Sequence, residues 1–385
     1  MRLALLFIFG FLLVACEPPP GRETSSAPPG EVYFYESLTI AVIAPFLGEG
    51  AWAGDSLRNG LRLACDEVNA RGGVLGNKVN IRLYDNYSNA DTAESLAQDV
   101  VLDTGVVAVI AEGVSERARG VARAAQNAGK PVVLPNATAE SITDIGNFVF
   151  RVCYSDPVQG SAMAVFARSK DIKSAAILCE EGNPSAEALA KGFRTAFETL
   201  GGKIAVEEKF DGSPSVEALV SVKNAEMIFV ASGGSTAARA CKAVQAAGCE
   251  APVFGVDWNT PDFLDAADGE ASKKIYTTDH FSAENKTATS KEFVQTFTKQ
   301  YGRPPDALAA LGYDTLKLIA YTIGAVDSEQ SDAIASALAK MRNFDGVTGI
   351  ITMDDTRSPE KPIVILHLEN DIFSYAETIF PAQLP

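Results

Sequence analysis

Three polar residues stand where a small charged molecule could be held. Ser115 opens a predicted helix directly after the predicted strand Val106 to Ala111. A hydroxyl there caps the helix, and beside free backbone N–H groups it also suits a carboxylate. Thr138 follows the predicted strand Pro131 to Leu134 and precedes a short helical stretch, which offers the same chemistry. Two such starts converging would hold an anion by dipoles and hydrogen bonds, with no arginine required. Asp257 follows the predicted strand Pro252 to Gly255 and brings a full negative charge, suited to an ammonium. Together the three would match both ends of an amino acid. Singly, each is an ordinary cap or turn residue.

Catalytic chemistry finds little support. His280 and His367 are the only histidines, and neither sits at metal-ligand spacing. Gly113-Val114-Ser115-Glu116-Arg117 lacks the second glycine of a nucleophile elbow. No G-x-x-x-x-G-K phosphate loop occurs. The loop from Gly48 to Gly54 echoes a dinucleotide fingerprint, but its third glycine comes one residue late. No acidic residue ends the second strand at the usual offset either. The expectation is a protein without catalytic residues, cofactor or metal. A formal charge of −16 argues against a nucleic-acid partner, which needs a basic face.

The elements that would position these residues alternate along the chain. Strands are predicted at Leu38 to Ala44, Val79 to Tyr84, Val106 to Ala111 and Pro131 to Leu134, with helices Ala51 to Ala70, Asp91 to Leu102 and Ser115 to Ala128 between them. The rhythm restarts after Arg151. Helix Val158 to Arg168 precedes strand Ser174 to Cys179, helix Ser185 to Leu200, strands Lys203 to Phe210 and Met227 to Val230, helix Thr236 to Ala247 and strand Pro252 to Gly255. Helices near Ser290 to Tyr301 and Ala307 to Ala325, then strand Ile363 to Glu369, complete the pattern. Repeated βαβ implies α/β architecture, with two doubly wound parallel-sheet lobes.

The amino-terminal stretch reads as an export signal. Arg2 is followed by the apolar run Leu3 to Leu12, too short for a spanning helix, and then by Leu13-Val14-Ala15-Cys16. Small residues before a cysteine resemble the bacterial lipobox, in which Cys16 is diacylated after residues 1–15 are removed. Residues 16–36, rich in proline, would be a flexible tether. The expectation is an exported lipoprotein facing the periplasm or cell exterior, held to the membrane by lipid alone. Five further cysteines leave at least one free thiol; Cys241 and Cys249 flank a helix end closed by Gly248 and are candidates to pair, with buried free thiols as the alternative.

From about Thr39 to Asp354 the chain resembles periplasmic solute-binding proteins of the leucine/isoleucine/valine-binding type, which feed ABC importers. The resemblance is densest in Asn59-Gly60 and in Asp66-Glu67-Val68-Asn69-Ala70-Arg71-Gly72-Gly73-Val74-Leu75-Gly76. Tyr84-Asp85, Pro135, Phe150-Arg151, Asp156, Gln159-Gly160 and Gly312-Tyr313-Asp314 continue it. It implies a type I binding-protein fold with a hinge of three crossing segments, near Val152 to Asp156, Thr278 to Phe281 and Ile350 to Asp354. Lobe 1 would comprise 37–152 and about 282–350. Lobe 2 would comprise 153–281, with 351–385 joining it or returning to the hinge or lobe 1. The ligand carboxylate would be held by Ser115 and by the turn Asn136-Ala137-Thr138, and the ammonium by Asp257.

The chain also departs from that pattern. The first second-lobe loop, Glu180-Glu181-Gly182-Asn183-Pro184-Ser185, lacks the aromatic residue that often covers the ligand side chain, and Asn136 is more polar than the usual residue. The side-chain pocket therefore reads as rebuilt. Trp52, Tyr154 and Trp258 are candidates to line it, with core packing as the alternative. The function implied is capture of an amino acid or close analogue for an ABC permease by a monomer. A ligand sensor on the same fold, or an exported hydrolase, are the rival readings.

Overall fold

A computed structural model describes residues 37–385 apart from 49 and 270–273. The proposed signal peptide, Cys16 and the tether lie outside the described residues. In chain order the first sheet is built from β1 (Leu38–Ala44), β2 (Val79–Asp85), β3 (Val106–Ala111), β4 (Val132–Leu134) and β5 (Val149–Arg151), connected through α1 (Ala51–Ala70), α2 (Ala90–Val100) and α3 (Ser115–Asn127). Its order is β2-β1-β3-β4-β5, every pairing parallel. All seven residues of β1 are buried. Ile40 and Val42 face one hydrophobic layer while Ala41 and Ile43 face the other, the period of two that a sheet covered on both sides demands.

The second sheet receives the chain through α4 (Asp156–Ser169). It contains β6 (Ser174–Glu180), β7 (Lys203–Phe210), β8 (Met227–Ala231), β9 (Val253–Val256) and β10 (Ile275–Asp279), with α5 (Pro184–Thr199), α6 (Val216–Val222), α7 (Gly234–Ala246) and α8 (Pro261–Ala267) on its faces. The chain then returns to the first lobe through α9 (Ala288–Tyr301), α10 (Ala307–Val326) and α11 (Ser331–Ala339). A small sheet of β11 (Phe344–Gly346), β12 (Gly349–Met353) and β13 (Pro359–Glu360) follows. Finally β14 (Ile363–Glu369) and β15 (Ile372–Ile379) form an antiparallel ribbon on the edge of the second sheet, whose order is β15-β14-β10-β9-β8-β6-β7. That sheet is therefore mixed, where the sequence pattern suggested parallel pairing throughout.

Three segments connect the lobes: 152–155 between β5 and α4, 280–282 after β10, and 361–362 between β13 and β14. The third lies later than the expected stretch Ile350 to Asp354, because Ile351 and Met353 still pack in the first-lobe core. Lys361 there is buried and donates to Thr348 Oγ1 at 2.9 Å. Thr348 in turn donates to Asp314, whose carboxylate also takes the backbone N–H groups of Val347 and Thr348 at 2.7 and 2.9 Å. The hinge is thus tied to the lobe by a buried hydrogen-bond relay from Lys361 through Thr348 to Asp314.

Several residues singled out in the sequence serve helix packing. A Cβ on Gly60 would lie 1.9 Å from the Ala309 carbonyl oxygen, and one on Gly312 2.7 Å from that of Leu57, so α1 and α10 touch backbone to backbone. Gly160 and Gly192 do the same for α4 and α5. Cys241 and Cys249 do not pair; both, like Cys65, Cys153 and Cys179, are buried free thiols. Among the described residues no helix is long and apolar enough to cross a membrane.

Candidate functional site

Strand order in the first sheet reverses at β1, so the loops after β1 and β3 open a crevice at the carboxyl edge. A cavity of about 170 Å³ lies there, between the lobes. It is smaller than the roughly 300–1,000 Å³ of drug-sized ligand sites, so its occupant is small. The first lobe contributes Trp52 from α1, Asn136 and Thr138 from the turn after β4, and Asp306, Ala307 and Leu308 from the start of α10. From the second come Asp257, Asn259 and Thr260 after β9, and from the second crossing Asp279 and His280.

Four of the sequence-derived site residues therefore meet: Trp52, Asn136, Thr138 and Asp257 line one cavity. Ser115 adjoins them, because its Oγ accepts the Ala139 N–H at 3.0 Å, just past Thr138. It is the first residue of α3, whose N-cap is Val114, so the expected capping role is corrected. Ala137 is buried in the first-lobe core and places the turn through its carbonyl, which accepts from the Cys153 thiol at 3.3 Å. Gly113 permits that turn, since a Cβ there would stand 2.1 Å from Asn136 Oδ1 and 2.3 Å from its carbonyl carbon.

Two of the aromatic candidates do other work. Trp258 is fully buried, stacks on Phe263 and donates its indole N–H to the Ser232 carbonyl at 2.9 Å. It is a core residue of the second lobe. Tyr154, also buried, stacks on His280 with ring centroids 4.6 Å apart and donates its hydroxyl to the Pro362 carbonyl. It supports the cavity wall from behind, at the junction of all three crossings.

Asp257 has φ +53°, a left-handed conformation that aspartate tolerates. Its Oδ2 accepts from Gln159 Nε2 at 2.9 Å, and Gln159 Oε1 accepts from Thr278 Oγ1 at 2.9 Å. That fixes the carboxylate and leaves Oδ1 buried without a hydrogen-bond partner. His280 is buried, with both ring nitrogens unpartnered and Nε2 3.7 Å from Asp257 Oδ1, too far for a hydrogen bond. Asn136 Oδ1 is likewise buried and unpartnered. Buried polar atoms are normally satisfied, so this cluster makes the cavity the candidate ligand site.

Beside it, Asp279 is held by Asn259 Nδ2 at 3.1 Å and by the His280 N–H at 2.6 Å. Burial and then the Asp257 charge push its carboxyl up to about 8, against the pull of those donors. Asp306 differs. It caps α10 by accepting the Ala309 N–H at 2.9 Å and pairs with Arg303 at 3.0 Å, so its charge is met. The sequence reading missed Asp279, His280 and Asp306 as cavity residues. His280 sits at no metal-ligand spacing and so carries no local signal, whereas Asp306 carries the signal of a cap after Pro304-Pro305. Among the described residues no group of three or more His, Cys, Asp or Glu side chains is disposed to hold a metal ion.

A larger interlobe cavity, about 700 Å³, lies against Asp156, Arg151 and Lys361. Its buried polar groups are already paired: Arg151 donates to Ser358 Oγ at 2.7 Å and to the Ala139 carbonyl at 2.9 Å. Burial pushes the Asp156 carboxyl up to about 6, against the pull of Thr138 and Ser185 from the two lobes. None of its lining residues carries an orphaned buried polar atom. The smaller cavity is the stronger site.

Two α/β lobes on three crossings, with unsatisfied polar atoms facing one another between them, define a solute-binding protein of the cleft-closing kind. The chain belongs to the periplasmic binding protein family, whose profile matches residues 37–371. It is 28% identical over 327 residues to the leucine-, isoleucine-, valine-, threonine- and alanine-binding protein of Pseudomonas aeruginosa, covering 83% of this chain and 86% of that one. Among solved structures it is similar to the leucine-binding protein LivK of Thermotoga maritima, with TM-score 0.78, 28% identity and coverage of 90% and 100%. It is also similar to the branched-chain amino acid transporter substrate-binding protein LivJ of Streptococcus pneumoniae in complex with isoleucine, with TM-score 0.78, 27% identity and coverage of 89% and 99%.

Proposed function

We propose that this protein is the amino-acid-capturing component of an ABC importer, exported and anchored by lipid on Cys16, and that it acts as a monomer without catalysis. The observation that carries the reading is that Asn136 and Thr138 of one lobe and Asp257 of the other line a single cavity. In this reading Ser115 and Thr138 take the carboxylate, and Asp257 Oδ1 with a His280 ring nitrogen takes the ammonium. A ligand bridging the lobes binds the closed form better than the open one, and that difference drives closure. A binder rather than a hydrolase is supported by Ser115, whose Oγ is bonded to the Ala139 N–H with no histidine or carboxylate on it. Relatives named for amino acid binding and transport support the importer role.

A thermal-shift screen against the amino acids tests the ligand class. A ligand at about a hundred times its dissociation constant adds roughly 2.7 kcal/mol of stability. No stabilisation by any amino acid would refute the assignment. Anchoring is tested separately: Cys16→Ser should release the protein from membranes, and the wild-type amino-terminal peptide should carry diacylglycerol in a mass spectrum.

A further inference from the structure

The cavity holds more acceptors and more acid than a neutral amino acid can use. Asp257 and Asp279 both line it, and among the described residues no lysine or arginine does. Asp306 is set aside, being paired with Arg303 and the α10 start. One α-ammonium can satisfy Asp257 Oδ1 and one ring nitrogen of His280, which stand 3.7 Å apart. That leaves Asn136 Oδ1 buried without a donor, and beside it a second acidic group, Asp279, whose only donors are Asn259 Nδ2 and backbone N–H. The Ser115 and Thr138 hydroxyls that would receive the ligand carboxylate are neutral, so they bring no positive charge to offset Asp279.

The apolar residues of the lining are Trp52, Ala307 and Leu308, all on the first-lobe side. A branched aliphatic side chain would be pressed against the Asn136 amide oxygen and the Asp279 carboxyl, stripping both of water without bonding either. A methylene stem that lies on Trp52 and ends in N–H donors meets every one of these groups. His280, about nineteen-twentieths buried with both nitrogens unpartnered, is the independent sign that the site awaits a polar group rather than a hydrocarbon, since a neutral imidazole offers one acceptor and one donor.

We propose that the ligand is a basic amino acid, whose side-chain ammonium or guanidinium meets the acceptors that Asp257 leaves over: the Asp279 carboxyl and Asn136 Oδ1. The inference rests on the amino-acid reading above and narrows it. The cation also offsets the repulsion from Asp257 that, after burial, pushes the Asp279 carboxyl up.

The test is calorimetric titration of the purified protein with lysine, ornithine and arginine, against norleucine and leucine. Norleucine is lysine without the terminal ammonium, so that pair isolates the second charge. At least one basic amino acid should bind about tenfold or more tightly than norleucine. Asp279→Asn, checked for cooperative melting, should shrink that ratio severalfold, and an unchanged ratio would overturn the role given to Asp279. Equal or tighter binding of norleucine or leucine overturns the proposal while amino-acid capture stands. Binding of putrescine but of no amino acid would overturn both the basic-amino-acid proposal and the amino-acid reading, and so would binding of none of these compounds.

Discussion

Asp257→Asn isolates the ammonium contact with little disturbance of the fold. Asparagine tolerates the left-handed φ of +53°, and its amide oxygen can still accept from Gln159 Nε2, now at 2.9 Å. What changes is the atom facing the cavity: an N–H donor or a neutral oxygen replaces a charged acceptor. Breaking a fully buried ion pair costs about 3–5 kcal/mol. The Asp257 side chain is 36% exposed in the unliganded protein, so screening reduces this to about 2–3 kcal/mol. The expected loss is roughly 30- to 150-fold in Kd, at about 1.4 kcal/mol per tenfold. Isothermal titration of the wild-type ligand reads it directly, with the melting temperature as a control. Alanine would be a poorer choice, since it strains the backbone and strands Gln159. Affinity within about threefold of wild type, in a variant that melts normally, would show that Asp257 faces no ligand cation.

Other outcomes follow from the same geometry. Gly60→Val forces α1 from α10, because its Cβ would meet the Ala309 carbonyl at 1.9 Å; calorimetry should show a loss of about 1–3 kcal/mol, with unchanged ligand affinity below the melt. Asp279 releases its proton near pH 4 when unfolded but only near 8 when folded, so its contribution is whole below pH 4 and lost as pH rises through about 8. The melting temperature of the unliganded protein should therefore carry a downward slope over that window, and Asp279→Asn should flatten it. Lys361, pushed down to about 8 by burial, shapes the curve only above that pH. The five buried thiols, with Cys153 pushed up to about 12 by burial, should resist a thiol reagent until the chain unfolds. Dithiothreitol should leave the melting temperature unchanged; a drop would reveal a disulfide.

Much of the scaffold was legible because burial on both faces of a sheet writes itself into local runs. Leu38–Ala44 and Val106–Ala111 are continuous apolar strands, and the helices between them carry the 3.6-residue period. Loops after strands at a switch point gave Thr138 and Asp257 as polar groups at the crevice, and the resemblance added Asn136. Elements without a clean period were missed. β15, Ile372–Ile379, is an edge strand with only Ile379 buried, and β10 is five residues shared between a parallel and an antiparallel partner. Neither carries a signal apart from its neighbours.

The rest depended on distance in space. The local pattern around Ser115 could not show whether its hydroxyl caps α3 or turns to Ala139, because the two differ only by where a separate loop lies. Nor could it show that Trp258 points into the core while Trp52 faces the cleft, since each is an aromatic near a loop. Types, periods and switch-point loops are properties of neighbouring residues, and the sequence holds them. The company that Asp257 keeps is not local: Gln159 comes from α4, His280 from a hinge crossing, Asn136 from the opposite lobe. Only folding brings those four within reach of one small molecule, because charge and hydrogen bonding act across ångströms and the chain order does not record them.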